Sequence, residues 1–301
     1  MEEPAAATHR GERTAAAESG YLSMSAAVLG EHGMVRLREP LDAKLFDLAV
    51  RLLDGTYPKP FVIDHEGMRR LHFSLAHIQS EMRIAEPDAL CAAYTQAMMT
   101  FVLLRPRPRH VMLMGLGGGS LAKTCHRHLP GAALTAVEMD ADVIGFRDLF
   151  CIPPDDSRWR VERAEAHEYL IAARPRTDVI LLDVYDSKGL SASADNAGFY
   201  RDLRGALRPG GLLVANVLGS SDQGDAHLAL IGEAFDARPW ILEVRDEDNR
   251  IAFAFADPPG RVDWPAARHR ALEWSGRLGF DLAAYADQLR RRWASREEAQ
   301  D

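Results

Sequence analysis

From His110 onward, apolar runs alternate with stretches of helical spacing. Nearly continuous apolar segments lie in His110-Val-Met-Leu-Met-Gly115, Ala133-Leu-Thr-Ala-Val-Glu138, Asp178-Val-Ile-Leu-Leu-Asp183 and Gly211-Leu-Leu-Val-Ala-Asn-Val217. Such runs suit strands of a sheet buried on both faces, where neither side meets water. Arg160-Val-Glu-Arg163 adds a shorter strand. Between them, helical spacing predicts helices near 120–128, 141–150, 166–173, 198–207 and 225–235. Strands and helices in alternation build a layered sheet covered on both sides.

The pattern changes at both ends. Trp240-Ile-Leu-Glu-Val-Arg245 and Arg250-Ile-Ala-Phe-Ala-Phe-Ala256 bracket only Asp246–Asn249, so these two strands should pair antiparallel. Upstream, Gly33–Arg38, Phe61–His65, Met68–Phe73 and His77–Ile84 read as short strands, with Glu66-Gly67 as a tight turn and a helix over Leu41–Leu53. Asp88–Leu104 has the spacing of one helix, broken by Arg105-Pro-Arg-Pro-Arg109, and Pro265–Trp293 reads as a helical tail. The expected fold is α/β: a Rossmann-like, mostly parallel sheet closed by an antiparallel hairpin, with a small N-terminal β-rich domain. The expected divisions are a disordered leader over 1–22, the β-rich domain over 23–86, the sheet domain over 87–257 and a helical extension over 258–301.

Composition narrows the function. A net charge of −8 over 301 residues argues against a general nucleic-acid binder. The basic run Leu289-Arg-Arg-Arg292 is flanked by Asp287 and Glu297-Glu298, so it reads as a solvated helix face. No apolar run is long enough to span a bilayer, and residues 1–20 lack the apolar core of a secretory signal. Cys91, Cys125 and Cys151 show no metal-ligand spacing; each is expected to pack as a small apolar side chain in a reducing, cytoplasmic setting.

Candidate chemistry sits where the strands end. After the first comes Gly115-Leu-Gly117-Gly118-Gly119-Ser120, a turn through which backbone can approach a ligand. The second ends in Glu138, placed to accept hydrogen bonds from both hydroxyls of a ribose. Glu165 follows the third and Asp183-Val184-Tyr185-Asp186-Ser187-Lys188-Gly189 the fourth. Each has a plainer reading: Glu138 and Glu165 as surface acids or acids at helix N-termini, Asp183 and Asp186 as turn caps. Strand, glycine turn, helix, strand and acid together point to nucleoside binding.

These motifs resemble the spermidine synthase (polyamine aminopropyltransferase) family, a branch of the class I S-adenosylmethionine-dependent methyltransferase fold. The matching segments are Gly115–Gly119, Val137-Glu138-Met139-Asp140, Glu165-Ala166, Asp183–Asp186 and Phe199-Tyr200 through Arg208-Pro-Gly-Gly211, over roughly residues 60–257. The resemblance implies aminopropyl transfer from decarboxylated S-adenosylmethionine to a small-molecule amine, with no metal and a homodimer as one arrangement. It implies nucleoside contacts at Gln79, Gly115, Gly117, Gly119, Glu138, Glu165 and Asp183. It makes Asp186 the proton acceptor, with Tyr94 and Tyr185 framing the amine; for Tyr94 a core aromatic is the alternative. Departures cluster on the amine side. Gly118 stands where the family has Asp, Thr95-Gln96 where it has His-Glu, and Ser187 and Leu190 where it has prolines. The adenine-site Asp is Glu165. Transfer of methyl from intact S-adenosylmethionine is therefore the main alternative, and a non-catalytic nucleoside-binding protein the next.

Overall fold

The computed structural model describes residues 20–186, 189–190, 196–219, 222–244, 248–258, 260 and 262–297. The expected leader lies outside them except for its last three residues. These residues form two compact units. One holds the chain up to Pro87 with Gly117–Gly119 and Asp140–Pro153; the other holds Asp88–Leu116, Ser120–Met139 and the chain from Pro154 on.

The first unit is an antiparallel sheet in sequence order: β1 (Leu22–Ser25), β2 (Met34–Leu37), β3 (Phe61–His65), β4 (Met68–Ser74) and β5 (His77–Arg83). β1 did not stand out in the sequence, because four residues give too few alternations beside an Ala-rich stretch. Glu66 and Gly67 join β3 to β4, both with positive φ (47° and 75°). A two-residue turn of that hand matches the right-handed twist of the strands. The Leu45–Leu53 helix buries Leu48, Ala49 and Leu52 in a core with Val35, Leu37, Phe61 and Ile63. Segment 140–153 is tied in by polar contacts. Arg69 clasps Asp64 with two 2.7 Å hydrogen bonds and donates a third to the Leu149 carbonyl.

The second unit is built on β6 (His110–Met114), β7 (Ala133–Glu138), β8 (Trp159–Arg163) and β9 (Thr177–Leu182), then a two-strand ribbon of β10 (Tyr185–Asp186) and β11 (Gly189–Leu190), then β12 (Leu207–Leu218), β13 (Trp240–Glu243) and β14 (Asn249–Phe255). The main sheet runs β13-β14-β12-β9-β6-β7-β8. β12, β9, β6, β7 and β8 are parallel; β14 is antiparallel to β12 and to β13. This is the expected parallel sheet with a closing hairpin. Val111, Met112, Ile180, Leu181, Leu213 and Val214 are buried on its faces, as continuous apolar runs require.

The chain leaves β6 toward β7 and β8, then returns to the other side of β6 with β9. Strand order thus reverses between β6 and β9, and the carboxyl ends there form the crevice where such sheets bind ligands. Helical readings at Ser120–His128 and Ala166–Ala173 match the observed bounds. Two differ. Asp88–Leu104 contains two short helices, Ala93–Met98 and Phe101–Leu104, and the expected 141–150 helix ends at Gly145. The tail is also two helices, Trp264–Leu278 and Leu282–Glu297, separated at Gly279, whose φ of 78° closes the first in the left-handed cap that glycine favours.

Candidate functional site

At the switch point three strand ends are knitted together. Gly115 follows β6 with φ 93°, and a Cβ there would lie 2.1 Å from the carbonyl oxygen of Asp183. Only glycine lets the end of β6 run this close to the end of β9. The Gly115 amide donates to the Val137 carbonyl at 2.9 Å, and the Asp183 amide to the Met114 carbonyl at 2.9 Å. Glu138, the last residue of β7, accepts the Leu116 amide at 3.0 Å through Oε2. The acid read from the sequence as a ribose ligand is thereby held on the glycine turn.

Asp183 sits in a polar chain. Its Oδ1 accepts from Asn216 Nδ2 at 2.9 Å, and Asn216 Oδ1 accepts from Asn249 Nδ2 at 2.8 Å. The Tyr94 hydroxyl donates to the same carboxylate. Burial raises the Asp183 pKa above the ordinary carboxylate value, and the two hydrogen bonds offset only part of that. Tyr94 and Asp183, assigned from the resemblance to opposite ends of the site, therefore share a contact. Asn216 and Asn249 were missed. The available signal was a lone amide in the apolar run Leu212–Val217, since a buried amide needs partners.

Glu165 is the N-cap of the Ala166–Ala173 helix. Its Oε2 accepts the amides of His167 and Glu168 at 2.9 and 3.0 Å. Of the readings open from the sequence, the helix-terminus one describes what this carboxylate does here. Tyr185 and Asp186 form β10, with Tyr185 paired to Leu190 and Asp186 to Gly189. Ser187 and Lys188 lie outside the described residues.

Gln79, Gly117, Gly118 and Gly119 fall in the first unit. Gln79 lies on β5, next to Ser80. A Cβ on Gly119 would meet the Ile152 side chain at 2.4 Å. On Gly118 it would meet Ser80 Oγ at 2.6 Å and the Phe150 ring at 3.0 Å. The family's acid at this position is thus not merely replaced; its space is filled.

The cysteine expectation is corrected. Cys125 is buried, and burial pushes its thiol up to about 12, but Cys91 is half-buried and Cys151 is exposed. Cys151 sits at φ 55° just past a helical segment, a turn position rather than a packed one. Among the described residues no group of three His, Cys, Asp or Glu side chains could hold a metal ion, and no helix is long and apolar enough to cross a membrane.

Residues 91–220 match the spermine/spermidine synthase domain. That span runs from the helix bearing Tyr94 through the glycine turn, Glu138, Glu165 and Asp183 to the end of β12. The chain is similar to members of the spermidine synthase family. It is 29% identical to the polyamine aminopropyltransferase of Chromobacterium violaceum, over 81% of this chain and 94% of that protein. A probable spermidine synthase structure from Corynebacterium glutamicum shares the fold at a TM-score of 0.57 and 20% identity, covering 71% of this chain and 84% of that one. Human methyltransferase-like protein 13, solved in complex with SAH, superposes at a TM-score of 0.54 with 25% identity, over 67% of this chain and 93% of that one. The glycine turn and acid-bearing strand ends of this chain thus lie on a class I methyltransferase-type sheet.

Proposed function

We propose that the protein transfers an aminopropyl group from decarboxylated S-adenosylmethionine to an amine. The observation that carries this reading is Asp183. It is a carboxylate at the switch point, buried enough to raise its pKa, with a tyrosine hydroxyl on it. A carboxylate withdrawn from water attracts an ammonium more strongly than an exposed one, and a bound cation would favour its charged form. The C. violaceum relative bears the matching name.

In this reading Glu138 holds the ribose. Glu165, at the N-terminus of its helix, borders the nucleoside, and Gly115 lets the backbone approach it. Tyr94 and Tyr185 frame the amine. The amine nitrogen attacks the methylene next to the sulfonium. As the C–N bond forms, the C–S bond breaks and its electron pair returns to sulfur, leaving neutral methylthioadenosine. The displaced proton passes to the Asp186 carboxylate. Sulfonium leaves readily, so the protein's work is alignment, desolvation and proton removal.

A second reading, methyl transfer from intact S-adenosylmethionine, is favoured by one observation. The space beside Gly118 is taken by Ser80 and Phe150, so no carboxylate there repels the donor's own. The likeness to the SAH-bound human methyltransferase-like protein adds to it.

Product analysis with each donor and a panel of primary amines separates the readings. Methylthioadenosine with an aminopropylated amine is expected. S-adenosylhomocysteine from the intact donor would move the assignment to methyl transfer, and no thioether from either donor would remove the transferase reading. In the active pairing, Asp186→Asn should lower turnover about a hundred-fold or more, with methylthioadenosine affinity kept.

A further inference from the structure

The register of the main sheet brings three polar side chains together. β9 and β12 pair in parallel with Leu182 beside Ala215, so the residues after them, Asp183 and Asn216, stand side by side at the crossover. β14 runs antiparallel to β12, with Asn249 opposite Leu218 and Ile251 opposite Asn216. Residues opposite one another, or two apart along a strand, share a face, so Asn216 and Asn249 are diagonal neighbours. Both are buried, at 6% and 9% exposure. The closing hairpin thus delivers a polar group to the switch point from outside the parallel strands.

The hydrogen bonds run in one direction. Asn249 Nδ2 donates to Asn216 Oδ1 at 2.8 Å, and Asn216 Nδ2 donates to Asp183 Oδ1 at 2.9 Å. A charged carboxylate only accepts, whereas an amide presents an acceptor and a donor at nearly the same reach. Turned over about its last torsion, Asn216 would aim its oxygen at the carboxylate and put a repulsion where the bond now stands. The Asn249 donor engages that oxygen and so selects the orientation in which the Asn216 NH2 faces Asp183. In a buried chain each such bond also polarises the next. The other group on the carboxylate is the Tyr94 hydroxyl, from the Ala93–Met98 helix, and among the described residues Asp183 has no ion-pair partner. Its charge is therefore supported by hydrogen bonds, two made directly and one acting through Asn216.

We propose that Asn249 is a positioning residue for the amine: by fixing the Asn216 amide it keeps a donor on the Asp183 carboxylate that attracts the ammonium. This rests on the aminopropyl-transfer reading. One test needs no substrate. In the full chain carrying isotope-labelled aspartate, the NMR resonance missing from Asp183→Asn reports the titration of this carboxylate. Asn249→Leu, similar in volume but without a donor, and Asn249→Ala should both move that titration to higher pH, because the charged form loses support. The second test is the amine KM across pH with decarboxylated S-adenosylmethionine as donor. Below the titration, KM in the Asn249 variants should exceed that of wild type about five-fold; above it, the ratio should fall to one. Methylthioadenosine affinity and kcat at saturating amine should be kept, whereas a merely loosened fold would lower both. In an Asn216→Ala background, Asn249→Leu should add nothing, since the link is gone. An Asp183 titration that neither Asn249 variant moves overturns the inference, and so does an Asn249→Leu effect that persists in full without Asn216. A moved titration with no aminopropyl transfer to any amine would instead remove the reaction reading and leave the positioning of Asp183 by Asn249 standing.

Discussion

Asp183 is a carboxylate whose pKa is raised above the ordinary value by burial. A carboxylate with a raised folded pKa holds its proton more tightly folded than unfolded. Its share of stability is therefore greatest below the unfolded value of about 3.9 and is lost as pH climbs through the folded pKa. At neutral pH its charge works against folding. Asp183→Asn keeps an oxygen for Asn216 and Tyr94 to donate to but removes that charge. The melting temperature of the variant relative to wild type should rise from acid to neutral pH, while turnover falls. A difference flat across pH would mean that Asp183 carries no raised pKa. The same burial logic explains the cysteines. Cys125 is legible as apolar because the Ser120–His128 helix packs its buried side on the sheet, whereas Cys151 lies in a turn whose direction no periodicity reports.

At the scale of elements, the closing hairpin decides how the sheet ends. β13 is an edge strand, and an open edge invites pairing with other chains. The Leu282–Glu297 helix covers it. Trp293 packs on Trp240 with ring centroids 4.1 Å apart, and Trp240 on Phe255 at 4.7 Å. Gln288 donates to the Glu243 carbonyl at 3.1 Å at the end of the strand. Trp293→Ala should cost about 2 kcal/mol or more, by losing aromatic packing and leaving a hole. Chemical denaturation should show a lower midpoint with little change in slope. A midpoint within error of wild type would mean that the helix does not hold the edge. The helix was legible as a helical tail over Pro265–Trp293, but its partner was not, since helical spacing names a face without saying what covers it.

At the scale of the molecule, ligand binding and folding are linked by mass action. Methylthioadenosine at a hundred times its Kd should stabilise the native state by about 2.7 kcal/mol, raising Tm by several degrees. Glu138→Ala removes a charged acceptor worth roughly 1.5–3 kcal/mol, so at the same ligand concentration most of the shift should vanish. An equal shift in both proteins would remove Glu138 from the nucleoside site. The prediction tests the strand-end layout as a whole, because only the folded sheet brings Glu138 to the glycine turn.

Short-range pattern determined much here. Apolar runs set the strands, because a strand buried on both faces admits few polar residues and only where they find partners. The short spacing between Glu243 and Asn249 set the antiparallel end, because so few residues cannot cross the sheet. Glycine at 115 and acids at 138 and 183 marked the strand ends, since the residues that permit sharp turns or bear charge are excluded from the strand interior. What the sequence could not decide were relations between distant segments. It did not show Tyr94 meeting Asp183 or Asn249 orienting Asn216. Nor did it choose the helix-terminus reading of Glu165, or show Ser80 and Phe150 filling the space at Gly118. Each depends on which elements become neighbours once the sheet has formed, and that is set by the burial of the whole chain rather than by any local run of residues.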